Sequence, residues 1–300
     1  MQPNNPKLDR RSGREIIINS ETYFAPMELV DYYHSIIESV PLLAKMYADG
    51  FTIPDFIQFK VIQDYVREEL EPNVNFYSNG GNRNTKTLLV CFCGASNRIG
   101  ITTASFLQRL DANRFDVVML VDPSSSHFRN GISGFGDGLP DVIEDIQRRC
   151  FTDEYDSVYA LGHSMGALVA LRYSQYARCD RSIAIAPSIM DDTFRVFLNN
   201  ETVEAFDPLC ACRFDQVQNP VVVYSDGNQK DGAFSRHSAS VLNARLYSLA
   251  NAAGHPTLLE AYRLNRAKGL LDVLLSPTLP EDISIDLPED KVREPSLYLS

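Results

Sequence analysis

From residue 87 onward the chain alternates short apolar segments with segments of helical periodicity. This alternation constrains the fold more than any other feature of the sequence. We predict strands at 87–93, 116–121, 157–161, 182–186, 221–225 and 245–251. Helices are predicted at about 101–110, 139–150, 165–177, 233–243 and 257–275. Apolar strands that are each followed by a helix form a mostly parallel sheet with helices on both faces. The sequence therefore predicts an α/β fold.

The segments before residue 86 and after residue 275 do not show this alternation. We expect residues 1–85 to form an N-terminal extension with two amphipathic helices, at 28–46 and 54–70, after an irregular polar start at 1–25. Residues 86–275 form the predicted core, and 187–219 is long enough to make a short cap. The acidic, proline-rich tail at 276–300 is expected to be partly ordered. The N-terminal helices are expected to cover a pocket or to mediate formation of a homo-oligomer.

Composition excludes several classes of function. The formal charge of −11 and the lack of a Lys/Arg cluster argue against binding to nucleic acid. No run of 18 apolar residues is present, so no membrane span is expected, and the start of the chain has no apolar signal segment. The spacing of Cys210 and Cys212 does not fit a zinc half-site. We therefore interpret the six cysteines as reduced thiols of a cytoplasmic protein and expect no metal and no cofactor.

The pentapeptide Gly162-His163-Ser164-Met165-Gly166 lies between a predicted strand and a predicted helix. A Gly-x-Ser-x-Gly pattern is expected by chance roughly 0.1 times in a chain of this length, so its context carries the inference. A serine on a sharp strand-to-helix turn is exposed at the sheet edge, and small neighbours let the strand and helix approach. Ser164 is therefore a candidate nucleophile.

A nucleophilic serine on such a turn needs an acid and then a histidine, in that order along the chain. Among the five histidines, only His255 follows the last predicted strand at the edge that carries Ser164. Asp226 and Asp231 both follow the preceding strand. We favour Asp231 as the acid and keep Asp226 as the alternative, and the other aspartate would be a turn or cap residue.

Two backbone N–H groups are needed to bind the oxyanion that such a nucleophile creates. Met165 follows the nucleophile directly, and Ala95 follows Gly94 at the end of the first predicted strand. Arg98, Asp122 and Arg129 lie in loops at the same edge, where we favour solvated loop charges over contacts with a substrate. His127, in the loop after the second strand, is a further candidate for a contact with a substrate.

On these residues the chain resembles the α/β-hydrolase family over about 87–275. The resemblance rests on CGA at 93–95, GHSMG at 162–166, the acid loop at 226–231 and AGH at 253–255. It implies that Ser164 attacks an acyl carbonyl, His255 transfers the proton and Asp231 orients the imidazole. Two departures exist: Cys93-Gly94 replaces the usual His-Gly, and the acid loop is off the usual spacing.

The implied activity is hydrolysis of a carboxylic ester or thioester on a small-molecule acyl substrate, through an acyl-enzyme. Two alternatives remain open at this point. One is a binding protein that keeps the fold without the reaction. The other is an acyltransferase or C–C hydrolase that uses the same three side chains.

Overall fold

The computed structural model describes residues 10–43, 45, 63–187, 217–281 and 283–285. Its helices are α1 (Arg10–Tyr23), α2 (Pro26–Ser39), α3 (Thr103–Leu107), α4 (Leu139–Arg149), α5 (Met165–Tyr176), α6 (Gln229–Leu242), α7 (Thr257–Arg263) and α8 (Ala267–Leu274). Its strands are β1 (Val66–Glu71), β2 (Val74–Ser78), β3 (Thr87–Phe92), β4 (Phe115–Leu120), β5 (Ser157–His163), β6 (Arg181–Ile185), β7 (Pro220–Ser225), β8 (Arg245–Leu249) and β9 (Ile283–Ile285).

The strands form one sheet in the order β1-β2-β4-β3-β5-β6-β7-β8-β9. Strand β2 pairs antiparallel with both β1 and β4, and every other pairing is parallel. The carboxyl ends of β3 to β8 therefore meet at one edge of the sheet. The loops that follow these strands lie at that edge, which is where ligands of open parallel sheets bind.

Both faces of the sheet are covered by helices because successive side chains of each strand point to opposite faces. On β3, Leu89 and Cys91 join an apolar core that also contains residues of α3, α7 and α8. Leu88 and Val90 join a second core with residues of α4 and α5 on the other face. The predicted fold class, an α/β-hydrolase-type mostly parallel sheet between two layers of helices, is confirmed.

The predicted strands of the core are all present, with bounds that differ by two residues or fewer at each end. Two helical predictions change. The helix predicted at 257–275 is two helices, α7 and α8, because Asn265 adopts a left-handed backbone with φ +54° between them. Helix α6 begins four residues earlier than predicted because the side chain of Asn228 caps its amino end.

The N-terminal region contains the clearest errors. Residues 10–23 were expected to be irregular and instead form α1. The helix predicted at 54–70 is wrong over 66–70, which belong to β1, while its part before residue 63 lies outside the described residues. Strand β2 has no counterpart in the prediction. Because β1 and β2 extend the same sheet as the core, the division at 85/86 is not a boundary of the sheet and stays a prediction as a domain boundary.

The predicted cap and tail lie largely beyond the described residues. Residues 188–216 of the cap and 286–300 of the tail are not described. One described part of the tail, β9, pairs in parallel with β8 at the edge of the sheet. The tail therefore contributes a strand that its composition did not indicate.

A buried polar cluster lies at the opposite edge, at the amino ends of the parallel strands. The ammonium group of Lys86 donates to Asp116 Oδ1 at 2.8 Å, and the hydroxyl of Tyr155 donates to Asp116 Oδ2 at 2.9 Å. The side chains of Lys86 and Asp116 are 4% and 2% exposed. A cavity of about 560 Å³ adjoins this cluster. The buried carboxylate of Asp116 thus joins the starts of β3, β4 and β5 through this ion pair and the hydrogen bond of Tyr155.

We expect Asp116→Ala to reduce the free energy of unfolding by about 3 to 5 kcal/mol, because it leaves a buried ammonium group without its carboxylate. Glu154→Ala is the control, since it breaks an ion pair with Arg83 in which the two side chains are 33% and 56% exposed, and it should cost below about 1 kcal/mol. Urea unfolding of both variants measures the difference. Equal losses would contradict a special contribution from burial.

Candidate active site

Ser164 sits between β5 and α5 in a backbone conformation that non-glycine residues rarely adopt. Its φ is +53° and its ψ is −112°. Such a conformation costs of order 1 to 3 kcal/mol and persists only where the surrounding structure enforces it. The sharp turn described in the sequence is therefore present, and the serine is at its apex.

Two glycines make this turn sterically possible. A Cβ atom added to Gly162 would lie 2.0 Å from the carbonyl oxygen of Gly166. A Cβ added to Gly166 would lie 2.1 Å from the carbonyl oxygen of Phe92 on β3. Both distances are impossible for a real Cβ, so β5, α5 and β3 can meet here only with glycine at these two positions.

Three side chains at the carboxyl edge form a continuous series of hydrogen bonds. Ser164 Oγ lies 3.0 Å from His255 Nε2, and His255 Nδ1 lies 2.7 Å from Asp231 Oδ2. Because the carboxylate can only accept, Nδ1 carries a proton and Nε2 is left to accept from the serine hydroxyl. The three residues that were predicted separately are thus brought together, and their catalytic role stays a prediction.

The carboxylate of Asp231 is held by the start of helix α6. Asn228 caps this helix by accepting from the backbone N–H of Asp231, and its side-chain amide donates to Asp231 Oδ2 at 2.9 Å. The side chain of Asp231 is 5% exposed, whereas that of His255 is 40% exposed. The acid is therefore fixed in a buried position, and the imidazole lies between it and the more open serine.

Asp226 performs a different task in the same loop. Its carboxylate accepts hydrogen bonds from the backbone N–H groups of Asn251 and Ala252, both at 3.3 Å. These residues begin the loop that leads to His255. Asp226 therefore anchors the histidine loop without touching the imidazole, and the geometry separates the two aspartates that the sequence left as alternatives.

The two backbone donors predicted for an oxyanion lie next to Ser164. Met165 is the first residue of α5, so its N–H has no acceptor within the helix. A Cβ built on Gly94 would lie 3.4 Å from Ser164 Cβ, which places the loop carrying Ala95 beside the serine. Their function as an oxyanion site stays a prediction.

The imidazole of His163, the residue before the nucleophile, is enclosed behind the serine. The residue is 4% exposed, and its ring centroid lies 6.3 Å from that of His255. Burial, and to a lesser degree the charge of His255, lowers the pKa of His163 from 6.5 to about 3. His163 therefore stays neutral in the folded protein down to about pH 3.

The loop after β4 is organised by a buried carboxylate that the sequence interpreted as a solvated charge. Asp122 is 1% exposed and accepts from the backbone N–H groups of Ser124, Ser126 and Phe128 at 2.7 to 3.0 Å. The interpretation of Asp122 as a solvated charge is therefore wrong. A short polar side chain at the first position of a loop commonly binds backbone N–H groups that follow it.

This loop places His127 next to the sharp turn at Ser164. His127 has a left-handed backbone with φ +58°, and its Nδ1 lies 3.1 Å from the carbonyl oxygen of Met165. Because a carbonyl only accepts, Nδ1 is the donor. His127 therefore contacts the first residue after Ser164, whereas the side chain of the nearby Arg129 donates to the carbonyl of Ser126 in its own exposed loop.

The described residues also bear on disulfides, metal-binding groups and membrane-spanning helices. Cys91, Cys93, Cys150 and Cys179 are buried thiols without a disulfide. Across 10–43, 45, 63–187 and 217–285, leaving out 282, no three His, Cys, Asp or Glu side chains are grouped so that they could hold a metal ion. In that same part of the chain, none of the helices combines the length and apolar character of a membrane-crossing segment.

No protein-family model matches the chain, and no curated protein matches it. Solved structures do resemble it. The fluorophosphonate-binding serine hydrolase F of Staphylococcus aureus matches at 12% identity and a TM-score of 0.44, over 63% of this chain and 91% of its own. An esterase of Pyrobaculum calidifontis matches at 12% identity and a TM-score of 0.45, over 86% of this chain and 96% of its own.

A truncated carbohydrate esterase from gut microbiota gives similar figures, with 12% identity and a TM-score of 0.45 over 72% of this chain and 95% of its own. The sheet order and the turn at Ser164 give this chain an α/β-hydrolase fold. Likeness at such low identity does not carry an activity or the role of any residue from those proteins to this one.

The buried neutral state of His163 makes a prediction about stability. In the unfolded chain the pKa of this imidazole is near 6.5, so the unfolded state binds a proton below that pH. The folded state binds the same proton only near pH 3. The stabilisation is complete above pH 6.5 and is lost progressively as the pH falls toward 3. Between pH 7.5 and pH 5.0 the loss amounts to about 2 kcal/mol.

We expect His163→Leu, which removes the titrating group, to reduce this pH-dependent loss of unfolding free energy by about 2 kcal/mol. Urea unfolding at pH 7.5 and pH 5.0 measures it. His237→Leu, at an exposed position of α6, is the matched control and should keep the wild-type dependence. If His163→Leu also keeps it, the imidazole is protonated in the folded protein above pH 5.

Proposed function

We propose that the protein is a serine hydrolase that cleaves a carboxylic ester or thioester through an acyl-enzyme on Ser164. The observation that carries the proposal is the hydrogen-bonded series from Ser164 Oγ through His255 to Asp231, at 3.0 and 2.7 Å. A serine hydroxyl is a weak nucleophile unless a base removes its proton, and here a base lies within hydrogen-bond distance. The strained turn at Ser164 supports the same function.

In the proposed reaction, His255 Nε2 takes the proton of Ser164 as the hydroxyl oxygen attacks the acyl carbonyl. The negative charge that develops on the carbonyl oxygen is stabilised by the backbone N–H groups of Met165 and Ala95. His255 then returns the proton to the leaving alcohol or thiol. A water molecule, activated by the same imidazole, hydrolyses the acyl-enzyme and restores the serine.

Asp231 has an orienting role in this scheme. Its buried carboxylate, bound also by Asn228, accepts from Nδ1 and so keeps the Nε2 lone pair directed at the serine. The negative charge also stabilises the imidazolium that forms during each proton transfer. Asp231 takes up no proton in this scheme, in which the three side chains, the two backbone N–H groups and water carry the reaction.

The substrate class in this proposal is a small acyl ester or thioester, and the proposed location is the cytoplasm. The location rests on the four described thiols, which are buried and unpaired, as expected for a reducing compartment. Self-association through the N-terminal helices remains part of the proposal, with the exposed Ile18 of α1 and Met27 of α2 as its apolar contacts.

A fluorophosphonate probe tests the nucleophile directly, since it reacts only with an activated serine. We expect the wild type to be labelled and Ser164→Ala not to be, and we expect Ser164→Ala or His255→Ala to lower kcat toward acyl esters by roughly 10⁶-fold. Folded wild type that takes up no label would overturn the proposal and favour a binding protein with the same fold.

Comparison of the two aspartates tests the identity of the acid. Asp231→Asn should lower kcat by roughly 10⁴-fold, because an amide in place of the carboxylate favours the wrong imidazole tautomer. Asp226→Asn loses part of the anchor of the histidine loop and should lower kcat less than about 10-fold while costing about 1 kcal/mol of stability. Steady-state kinetics with one short-chain ester decides, and equal losses would remove Asp231 from its proposed role.

A further inference from the structure

The last turn of helix α1 is bound to the loop that carries Ala95. The carboxylate of Glu21, on α1, accepts from Arg98 Nη2 at 2.7 Å. The Glu21 side chain is 1% exposed, and that of Arg98 is 20% exposed. A carboxylate removed so completely from water requires a charged partner, so this ion pair fixes Arg98 against α1.

Arg98 in turn closes the loop on itself. Its carbonyl oxygen accepts from the backbone N–H of Gly94 at 2.9 Å, and the carbonyl of Gly94 accepts from the N–H of Asn97 at 2.9 Å. Ala95 lies inside this tight turn, one residue after Gly94. The position of the Ala95 N–H therefore depends on where Arg98 is held.

The same loop also packs against the buried imidazole of His163. A Cβ built on Gly94 would lie 3.2 Å from His163 Nδ1, and one built on Gly100 would lie 3.1 Å from His163 Nε2. The two glycines thus contact the buried ring at both ends of the loop. The loop therefore packs on the buried ring and is also joined to α1 through Arg98.

Helix α1 is itself fixed to the core at this end. The carbonyl of Thr22 accepts from the hydroxyl of Thr103 at the start of α3, and the carbonyl of Tyr23 accepts from the hydroxyl of Tyr77 on β2 at 2.6 Å. The end of α1 is therefore a rigid support, which a helix attached only through its ion pair would not be.

From these contacts we infer that Glu21 is a positioning residue of the active site: through Arg98 it sets the place of the Ala95 N–H beside Ser164. This inference rests on the proposed function and deepens it, because it assigns α1 a part in stabilising the oxyanion. A displacement of about 1 Å in a group that binds the transition state can cost on the order of 10²-fold in rate. Substrate binding that does not involve the oxyanion is not affected.

The test compares Glu21→Gln with Glu154→Gln. Both variants replace a glutamate paired with an arginine, at 2.7 and 2.6 Å, and the second pair lies at the opposite edge of the sheet. We expect Glu21→Gln to lower kcat and the rate of fluorophosphonate labelling by roughly 10- to 100-fold, with KM changed less than about 3-fold. Amide hydrogen exchange in the peptide 93–102 should become faster, and Glu154→Gln should match the wild type in every measurement.

Arg98→Gln, which removes the other partner, should reproduce the loss in kcat, and the double variant should be no worse than either single variant. A lower melting temperature together with wild-type kcat per folded molecule, or unchanged exchange in 93–102, would overturn the inference. Wild type that fails to react with the probe overturns the proposed function and this inference with it. Reactive wild type with an equally reactive Glu21→Gln overturns the inference alone.

Discussion

The close approach of β5, α5 and β3 at Ser164 is the constraint on which the rest of the site depends. Three backbone segments meet where a single methyl group on Gly162 or Gly166 would overlap a carbonyl oxygen. This contact holds the serine at a positive φ and directs the free N–H groups at the start of α5 toward the same space. The place of the candidate nucleophile and that of the Met165 N–H proposed to bind an oxyanion thus have one common cause, which is backbone packing.

The order of the strands in the parallel sheet places the acid and the histidine near Ser164. Strand β6 lies between β5, which ends at the serine, and β7, which is followed by Asp231. The loop after β8 carries His255 to a position between Ser164 and Asp231. The hydrogen bonds of Asp226 join that loop to the loop after β7. The two aspartates therefore have different contacts: Asp231 binds the imidazole of His255, and Asp226 binds the backbone of the loop that carries it.

The core of this architecture could be predicted because its signals are local. The buried strands are apolar runs, and the order of Ser164, acid and His255 follows from the fold. The sequence favoured Asp231 over Asp226 but could not exclude Asp226, since the two share a loop and differ only in where it directs them. Strand β1 was missed because Arg67 and three glutamates give it the composition of an exposed segment, which an edge strand tolerates.

Helix α1 was missed for a related reason, and its place in the structure has a practical consequence. Its buried end consists of polar residues, including Glu21, whose burial comes from contacts made with distant parts of the chain. A protein shortened to the predicted core at 86–275 would keep Ser164, Asp231 and His255 while losing Glu21 and its ion pair with Arg98. If such a shortened protein hydrolysed esters only weakly, the loss of α1 would explain the result as well as a wrong assignment of the three side chains would.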